Sequence, residues 1–354
     1  MTQPDLLQAH FPGLAERLPR VSLAALPTPL RRASLDTDRG AADIWIKDDR
    51  NTGSIYGGNK VRKLEYLFGR IDRRRVDGVA TYGTVASNHA LATAMYADQL
   101  GYRPICFLAH QTRTSLAAAA LATHLGIGTQ LVPYRGNRRA RIDLQRKILQ
   151  GHEVAVIPMG GSSWAGCPGF MTAGLELAAQ IDAGEMPCPD RLYVATGTMG
   201  TAAGLALGLA LAELPTEVHA VRVSDVSIAN QEVIDRLMRK SCYMLHRLDN
   251  EFPESLHRRV RLRLRNGFFG PGYAKGTAAT DEAIAVAKDQ AGLQLERTYT
   301  GKAFAALLHD LREDAVARVL FWNTYSGLPQ SSQPLLDLTG LPDEFHGYLR
   351  AAHA

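Results

Sequence analysis

From residue 40 onward, the sequence alternates short apolar or β-branched runs with longer segments rich in alanine and leucine. Strands that alternate with helices predict a parallel sheet covered by helices on both faces. Several runs are apolar throughout, which is typical of strands buried on both faces. We therefore predict an α/β fold. The predicted strands are 43–47, 78–83, 103–109, 129–134, 153–159, 191–197, 218–223 and 319–324.

Two glycine-rich stretches, 53–58 and 160–169, are the predicted joints of the chain, because glycine pairs and Pro-Gly steps punctuate regular elements. They predict a smaller α/β domain over 63–169, inserted between the parts 1–62 and 170–354 of a larger domain. A length of 354 residues suits one large domain or two ordinary ones. Ligands bind at the carboxyl ends of parallel strands, so candidate chemistry is sought there.

Composition excludes several classes of protein. A hydrophobic share of 46% is that of an ordinary globular protein and excludes disorder. The four cysteines are far apart and form no C-x-x-C pair, which disfavours a zinc site or a disulfide framework. No apolar run reaches the ~18 residues of a membrane span, and the first 20 residues contain Pro, Asp and Glu where a signal peptide would be apolar. We expect a soluble cytoplasmic protein with no metal and no membrane contact.

The densest basic stretch, 257–265, alternates arginine with valine and leucine. That period of two predicts a solvated edge strand whose alternate side chains face the core. A nucleic-acid surface would add a recognisable module or interleaved aromatic residues. We therefore expect no nucleic-acid partner, despite the net charge of +5.

Two motifs are candidate ligand sites, the first with Lys60 as a candidate catalytic residue and the second with a phosphate as the candidate ligand. Residues 57–67 read GGNKVRKLEYL, so that Lys60 follows a bend and precedes a helix; a solvated lysine is the alternative reading. Residues 194–208 read VATGTMGTAAGLALG, a strand, a Gly/Thr loop and a helix, which predicts a phosphate cradle of amides and hydroxyls. The loop matches neither G-x-G-x-x-G nor a P-loop, so a smaller phosphorylated ligand is favoured over a dinucleotide or a nucleoside triphosphate.

Ser87 and Asn88 follow the strand 78–83, where a helix should begin. Such residues commonly cap a helix, but a helix N-terminus with a hydroxyl also suits a carboxylate. Toward the C-terminus, three segments place Tyr or Thr beside glycine. Taken singly, each of these residues is interpreted as a packing residue and not as a catalytic one. No G-x-S-x-G elbow and no H-E-x-x-H metal helix occurs. The C-terminal segments are 270–276, 297–304 and 321–329.

Together these segments resemble the fold-type-II pyridoxal-phosphate (PLP) enzymes, which are tryptophan synthase β-like, and specifically the 1-aminocyclopropane-1-carboxylate deaminase / D-cysteine desulfhydrase family. The resemblance runs in order from about residue 20 to 340, and GGNK-x-RKLEYL is nearly diagnostic of it. It implies two domains, of which the larger binds PLP, and a homodimer. Further matching segments are 26–30, 43–53 and 158–170.

The resemblance also implies roles for individual residues. Lys60 matches the lysine that forms the Schiff base with the cofactor and then removes the substrate α-proton. Ser87 matches the serine that meets the substrate carboxylate, and Tyr273 and Tyr299 match two tyrosines that face the substrate. The implied cofactor-binding residues are Lys60, Lys63, Asn88, Gly197, Thr198, Met199, Gly200, Thr201, Thr300 and Thr324.

One position separates the two branches of that family. The deaminases carry glutamate against the pyridine nitrogen, whereas this chain has Thr300, as the desulfhydrase branch does. A neutral hydroxyl stabilises ring protonation less, which favours expulsion of a good leaving group over opening of a cyclopropane. The sequence leaves open whether Thr300 or Thr324 meets the nitrogen. The resemblance therefore predicts α,β-elimination from a small D-cysteine-like amino acid, giving a 2-oxo acid, ammonia and sulfide.

The chain departs from the family's pattern at three places. Ala86 stands where the family usually has glutamine, the C-terminal His-Thr-Gly-Gly is replaced over 323–327, and Met199 brings a large side chain into the phosphate loop. The first two changes are expected to reshape the substrate pocket. Alternatives therefore stay open: 1-aminocyclopropane-1-carboxylate deamination, a PLP-dependent β-replacement or biosynthetic lyase reaction on a larger substrate, and ligand binding without turnover.

Overall fold

The computed structural model describes residues 5–72, 74–135, 138–313, 318–327 and 340–350. These residues divide into two compact units. The larger unit comprises the described residues within Met1–Arg70 and Ser162–Gly327, and the smaller unit those within Ile71–Gly161 and Leu328–Ala354.

The larger unit is built on a sheet of six described strands in the order β1-β2-β10-β7-β8-β9. All neighbours pair in parallel except β1 and β2, which pair antiparallel. The strands are β1 (Leu30–Thr37), β2 (Gly40–Asp48), β7 (Arg191–Thr196), β8 (Glu217–Arg222), β9 (Leu262–Arg265) and β10 (Val319–Asn323).

Helices cover both faces of that sheet, because its central strands present apolar side chains on both faces. Strand β10 is an example. Leu320 and Trp322 join one apolar cluster, whereas Val319 and Phe321 join the cluster on the other face, because successive side chains of a strand point to opposite faces. The helices of this unit are α1 (Leu6–His10), α2 (Pro12–Arg17), α3 (Lys60–Gly69), α7 (Pro168–Asp182), α8 (Gly200–Leu211), α9 (Gln231–Leu248), α10 (Ala278–Ala291) and α11 (Thr300–Glu313), with a 3₁₀ turn at Leu256–Arg258.

The smaller unit contains a parallel sheet whose described strands run in the order β5-β4-β3-β6. Its strands are β3 (Gly78–Thr84), β4 (Arg103–Ala109), β5 (Gln130–Tyr134) and β6 (Val154–Val156). Its helices are α4 (Asn88–Gln99), α5 (Ser115–Gly126), α6 (Arg138–Leu149) and α12 (His346–Arg350), with 3₁₀ turns at Met159–Gly161 and Asp343–Phe345.

The unit boundaries differ from those predicted at 62/63 and 169/170. Helix α3 runs unbroken through the first predicted boundary, so the division falls after its end, at Arg70. The C-terminal residues were expected in the larger domain, but Leu341, Phe345 and Tyr348 pack in one apolar cluster with the α4 and α5 side chains of the smaller unit.

The α/β class and the parallel sheets are confirmed, and each of the eight apolar runs contains a strand. Strand β9 lies at a sheet edge, as the alternating arginines predicted, with Leu262 and Leu264 packed against the core. Strand β1 was missed, because an antiparallel edge strand with two arginines and an aspartate presents no apolar run. None of the helices in the described ranges has the length and hydropathy needed to cross a membrane.

Candidate active site

The segment that carries Lys60 is bent tightly against its neighbours. Gly58 has a φ of +80°, and a Cβ atom there would lie 2.7 Å from the carbonyl oxygen of Thr324, so a side chain is excluded. The amide of Asn59 donates to that same carbonyl at 3.2 Å, and Asn59 Nδ2 donates to Thr201 Oγ1 at 2.9 Å. The residue before Lys60 is therefore joined both to the end of β10 and to the Gly/Thr loop.

The Lys60 amine lies in an unusual environment for a lysine. Within the described residues it has no hydrogen-bond or ion-pair partner, and burial lowers its pKa from 10.5 to about 8. One helical turn along, the pKa of the buried Lys63 is also lowered, by burial and by the nearby Lys60 charge. A lysine without an acidic partner and with a pKa near neutrality can act as a nucleophile or a base.

The Gly/Thr loop presents hydrogen-bond donors at the start of α8. Ser162 Oγ lies 2.7 Å from Thr198 Oγ1 and accepts from the Gly200 amide at 3.0 Å, which fixes the loop from outside. Further amides of the first turn have no acceptor within the helix. Amides, hydroxyls and a helix N-terminus form a typical binding site for an anion such as a phosphate.

Met199 does not place its side chain in the mouth of that loop, contrary to the expectation from the sequence. The side chain is buried within the core cluster of the larger unit, and its sulfur lies 3.7 Å from Thr196 Oγ1. The backbone of Met199 adopts a φ of +71°, which turns the chain sharply into α8. A ligand of this loop can therefore meet only the backbone of Met199.

Two tyrosines from distant segments meet beside the loop. The Tyr273 and Tyr299 hydroxyls are hydrogen-bonded, and their rings pack edge to face with centroids 5.9 Å apart. A Cβ atom on Gly197 would lie 3.5 Å from Tyr299 Cε1, so Tyr299 is a direct neighbour of the loop. Burial and the Tyr273 hydroxyl raise the pKa of Tyr299 well above 10, so its phenol stays protonated.

Thr300 and Thr324 differ in what their hydroxyls can do. The Thr300 hydroxyl donates to Glu296 Oε1 at 3.2 Å and accepts from the Glu296 amide at 3.1 Å. The same carboxylate oxygen accepts from the amides of Tyr299 and Thr300, each at 2.8 Å, and so caps helix α11. The Thr324 hydroxyl makes no hydrogen bond to any residue the structure describes, so it is the one available to a ligand.

A buried ionic network lies behind the Lys60 segment. Arg62 donates to both oxygens of Asp49, at 2.9 and 3.1 Å, and to both oxygens of Glu176, at 2.9 and 3.0 Å. Asp49 also accepts from Trp322 Nε1 at 2.9 Å, and its carbonyl accepts from the Gly58 amide at 2.8 Å. Burial alone would raise the pKa of Glu176, but Arg62 and Lys47 hold it at about 2. The network thus ties α3, β2, β10 and α7 together.

In the smaller unit, Ser87 caps helix α4. Its Oγ accepts from the Ala90 amide at 3.2 Å, and Gly83 permits this approach, because a Cβ there would lie 2.6 Å from that oxygen. Asn88 is the first residue of α4 and is half-buried. His89 is buried, with Nε2 2.9 Å from Thr81 Oγ1, so its ring contacts strand β3.

The residue before Ser87 is held by a side chain that sequence reasoning missed. Gln111 Oε1 accepts from the Ala86 amide at 3.0 Å. The hydroxyl of Tyr348, in α12, accepts from the Gln111 amide at 2.8 Å and donates to the Gln111 carbonyl at 2.9 Å. A chain of neutral hydrogen bonds thus links α12 to the start of α4.

Comparison with known proteins settles the family. The model of the family described as "Pyridoxal-phosphate dependent enzyme" matches residues 21–324. The chain belongs to this family. It is 31% identical to a D-cysteine desulfhydrase of Salmonella schwarzengrund over 310 residues, which cover 84% of this chain and 90% of that protein. It is 30% identical to a Pyrococcus furiosus protein provisionally named 1-aminocyclopropane-1-carboxylate deaminase, over 88% of this chain and 93% of that protein.

A solved structure supports the same assignment. The crystal structure of an ACC deaminase homologue matches this PLP enzyme with a TM-score of 0.73 and 27% identity, over 99% of this chain and all of that one. The resemblance stated from the motifs is therefore confirmed, together with the fold type and the cofactor class.

The residues present in the larger unit fit PLP. Lys60 supplies an amine without an acidic partner among the described residues, and the loop 197–201 supplies amides and hydroxyls but no carboxylate. Gly200 lies against Ser162, where a Cβ would fall 2.5 Å from Oγ, so the hydroxyl and the first turn of α8 can share one phosphate. A ligand with an aldehyde and a phosphate group requires an amine for the aldehyde and hydrogen-bond donors for the phosphate, and these residues supply both.

The candidate residues are thus distributed over both units. The larger unit joins the Lys60 segment, the loop, the tyrosine pair and Thr324 through the contacts above, while Ser87 and Asn88 lie in the smaller unit. Their individual roles stay predictions. Sequence reasoning missed the supporting residues, because their contacts form only in the folded chain and most of their partners lie far away in the sequence. They are Asn59, Gln111, Ser162, Glu296 and Tyr348.

Proposed function

We propose that this PLP enzyme catalyses α,β-elimination from a small D-cysteine-like amino acid, with release of a 2-oxo acid, ammonia and sulfide. One observation carries the proposal: the Lys60 amine is unpaired among the described residues, has a pKa of about 8, and follows the residue that is hydrogen-bonded to Thr201. We propose with it a cytoplasmic location, which the widely spaced cysteines favour, and a homodimer, as the family resemblance implies.

In the larger unit, PLP would be held by Lys60, Lys63 and the loop 197–201, while Asn88 keeps the cofactor-binding role that the family resemblance implies. When bound, PLP withdraws electrons from the α-carbon of an amino acid, which makes the α-proton acidic and allows a β-substituent to leave. The lowered pKa of Lys60 supports its role as the base that takes this proton, because a base is most effective when its pKa lies near the working pH.

The substrate groups would be held by neutral donors. Ser87 uses its oxygen lone pair to cap α4, so its hydroxyl proton is available for the substrate carboxylate beside the helix N-terminus. Tyr273 and Tyr299 share a hydrogen bond, and the high pKa of Tyr299 keeps its phenol protonated. We propose that this pair faces the leaving group and that a phenol proton stabilises the departing thiolate.

Hydroxyls near the ring nitrogen favour elimination over ring opening. We propose that Thr324 is the residue that meets the pyridine nitrogen, because the Thr300 hydroxyl is engaged by Glu296. A neutral hydroxyl supports a charged ring nitrogen weakly compared with a carboxylate. Expulsion of a thiolate tolerates this better than breaking a carbon–carbon bond does. Deamination of 1-aminocyclopropane-1-carboxylate is the second candidate, since a relative carries that name.

The first test concerns Lys60. The protein with PLP should absorb near 410–420 nm, about where lysine-bound PLP absorbs, and Lys60→Ala should abolish this band, whereas Lys275→Ala, at an exposed lysine, should keep it. Borohydride reduction followed by peptide mass spectrometry should place the reduced cofactor on Lys60. Absence of the band from protein saturated with PLP would refute the proposal.

The second test concerns the reaction. A panel of D- and L-amino acids is assayed for ammonia, with pyruvate release from D-cysteine compared against 2-oxobutyrate release from 1-aminocyclopropane-1-carboxylate. Faster pyruvate release supports elimination, and faster 2-oxobutyrate release replaces it with the deaminase reaction. Transfer of an added thiol onto the substrate carbon would indicate β-replacement. Binding of amino acids without formation of any product would indicate that the protein binds a ligand without turnover.

A further inference from the structure

The loop before α10 has an unfavourable backbone. Gly270 and Gly272 adopt φ values of +70° and +153°, and Ala274 adopts +58°, although it carries a side chain. Positive φ at a residue other than glycine costs free energy and persists only where surrounding contacts impose it. Tyr273 lies between two of these residues, so its position depends on whatever holds the loop.

Lys302 is the group that holds it. Its side chain is fully buried, and no carboxylate of the described residues lies within ion-pair distance of it. Burial lowers its pKa to about 8, while the nearby Glu296 charge favours the ammonium form. Its Nζ donates to the carbonyl oxygens of Phe269, at 2.6 Å, and Gly272, at 3.1 Å, and lies 5.0 Å from the centroid of the Phe269 ring. These contacts attach the loop on both sides of Gly270 to helix α11.

The same helix carries the partner of Tyr273. Tyr299 lies just before α11, and Glu296 fixes it by accepting from its amide. Lys302 lies one turn further on. The tyrosine pair is therefore held twice, once by the hydroxyl contact and once by the attachment of the Tyr273 loop to the helix that begins beside Tyr299.

We infer that Lys302 is a positioning residue, whose ammonium group holds the loop 269–276 so that the Tyr273 hydroxyl meets Tyr299 and faces the substrate. This inference rests on the proposed function, since Tyr273 and Tyr299 are the tyrosines assigned there to the substrate. It concerns a lysine to which neither PLP binding nor removal of the α-proton is assigned.

The test compares Lys302→Met with Lys275→Met in the PLP-loaded protein. Methionine keeps most of the apolar stem of the side chain but removes the ammonium group, and Lys275 is an exposed lysine on the same loop. Hydrogen exchange measured by mass spectrometry should accelerate over 269–276 in Lys302→Met and stay unchanged in Lys275→Met. Unchanged exchange in Lys302→Met overturns the inference, whatever reaction the enzyme catalyses.

Kinetics supply the second readout. Lys302→Met should lower kcat by about 10- to 100-fold, because a displacement of about 1 Å can have such an effect, with KM changed less than about threefold and the absorption band kept. Tyr273→Phe should lower kcat as well, and the double variant should lose no more than the worse single one. Additive losses would show that Lys302 acts independently of Tyr273 and overturn the inference.

A third variant covers the case in which Lys302→Met does not fold. Gly272→Ala leaves Lys302 intact, and its Cβ would meet only Lys275 Cδ, at 3.8 Å, so it acts through the backbone φ alone. It should raise exchange over the loop and lower kcat with KM kept. Wild-type kcat in this variant overturns the inference. Absence of the absorption band in the wild type would instead contradict the proposed function. The inference about Lys302 would then be tested by hydrogen exchange alone.

Discussion

In the larger unit, the segment that carries Lys60 is fixed by buried charged groups, whereas in the smaller unit the segment that carries Ser87 is fixed by neutral hydrogen bonds. Arg62, Asp49 and Glu176 form the first arrangement, and Gln111 and Tyr348 form the second. A buried ion that loses its partner is far more destabilising than a lost neutral hydrogen bond. The two units should therefore respond very differently to the loss of one supporting side chain.

The largest effect is expected for Arg62→Met. The substitution leaves Asp49 and Glu176 buried without their main cationic partner, so the free energy of unfolding should fall by about 3–5 kcal/mol. Urea denaturation measures this, with Arg239→Met, at an exposed arginine of α9, as the control that should change it by less than about 0.5 kcal/mol. Equal free energies of unfolding for the two variants would contradict the view that buried charged groups stabilise the Lys60 segment.

Part of this contrast could be predicted from sequence and part could not. The apolar runs predicted the sheets, because buried parallel strands are apolar at successive positions. The family motifs assigned Lys60, Ser87 and the loop 197–201 to the site, and these roles stay predictions. The network of Arg62 spans positions 49, 176 and 322, and the chain from Ala86 to Tyr348 spans more than half the sequence. No local pattern signals such contacts, since the fold alone brings these residues together.

The next effect concerns Lys60 in the protein without PLP. Its pKa falls from 10.5 to about 8 on folding, so between these pH values the unfolded chain holds a proton that the folded protein releases. The contribution of Lys60 to the free energy of unfolding therefore rises with pH across this window and is most unfavourable below pH 8. Lys60→Met should stabilise the apo protein at pH 7 by about 1–3 kcal/mol, allowing for partial exposure.

Denaturation of the apo protein at pH 7 and at pH 10.5 measures that difference, which should nearly vanish at the higher pH. Lys275→Met serves as the control, because an exposed lysine should contribute little at either pH. A stabilisation by Lys60→Met that is the same at both pH values would show that the amine is not held in an unfavourable site.

A smaller effect is expected for Gln111→Leu in the smaller unit. The Ala86 amide loses its acceptor, so the free energy of unfolding should fall by about 1 kcal/mol. Under the proposed function, KM for the amino acid should rise several-fold with the PLP absorption unchanged, because the loosened residue precedes Ser87. Gln99→Leu, at an exposed position of α4, is the matched control for both measurements.

The smallest change in stability, and the sharpest separation of roles, is expected at Ser87 itself. Its oxygen caps α4, and glycine replaces such a cap at a loss of only a few tenths of a kcal/mol, whereas alanine loses about 1 kcal/mol. Ser87→Gly should therefore remain nearly as stable as the wild type, yet lose the hydroxyl proton proposed for the substrate carboxylate. We expect its KM to rise about tenfold, as for one lost hydrogen bond to a charged group. A wild-type KM in Ser87→Gly would reduce Ser87 to a helix cap, and the neutral arrangement of the smaller unit would then serve stability alone.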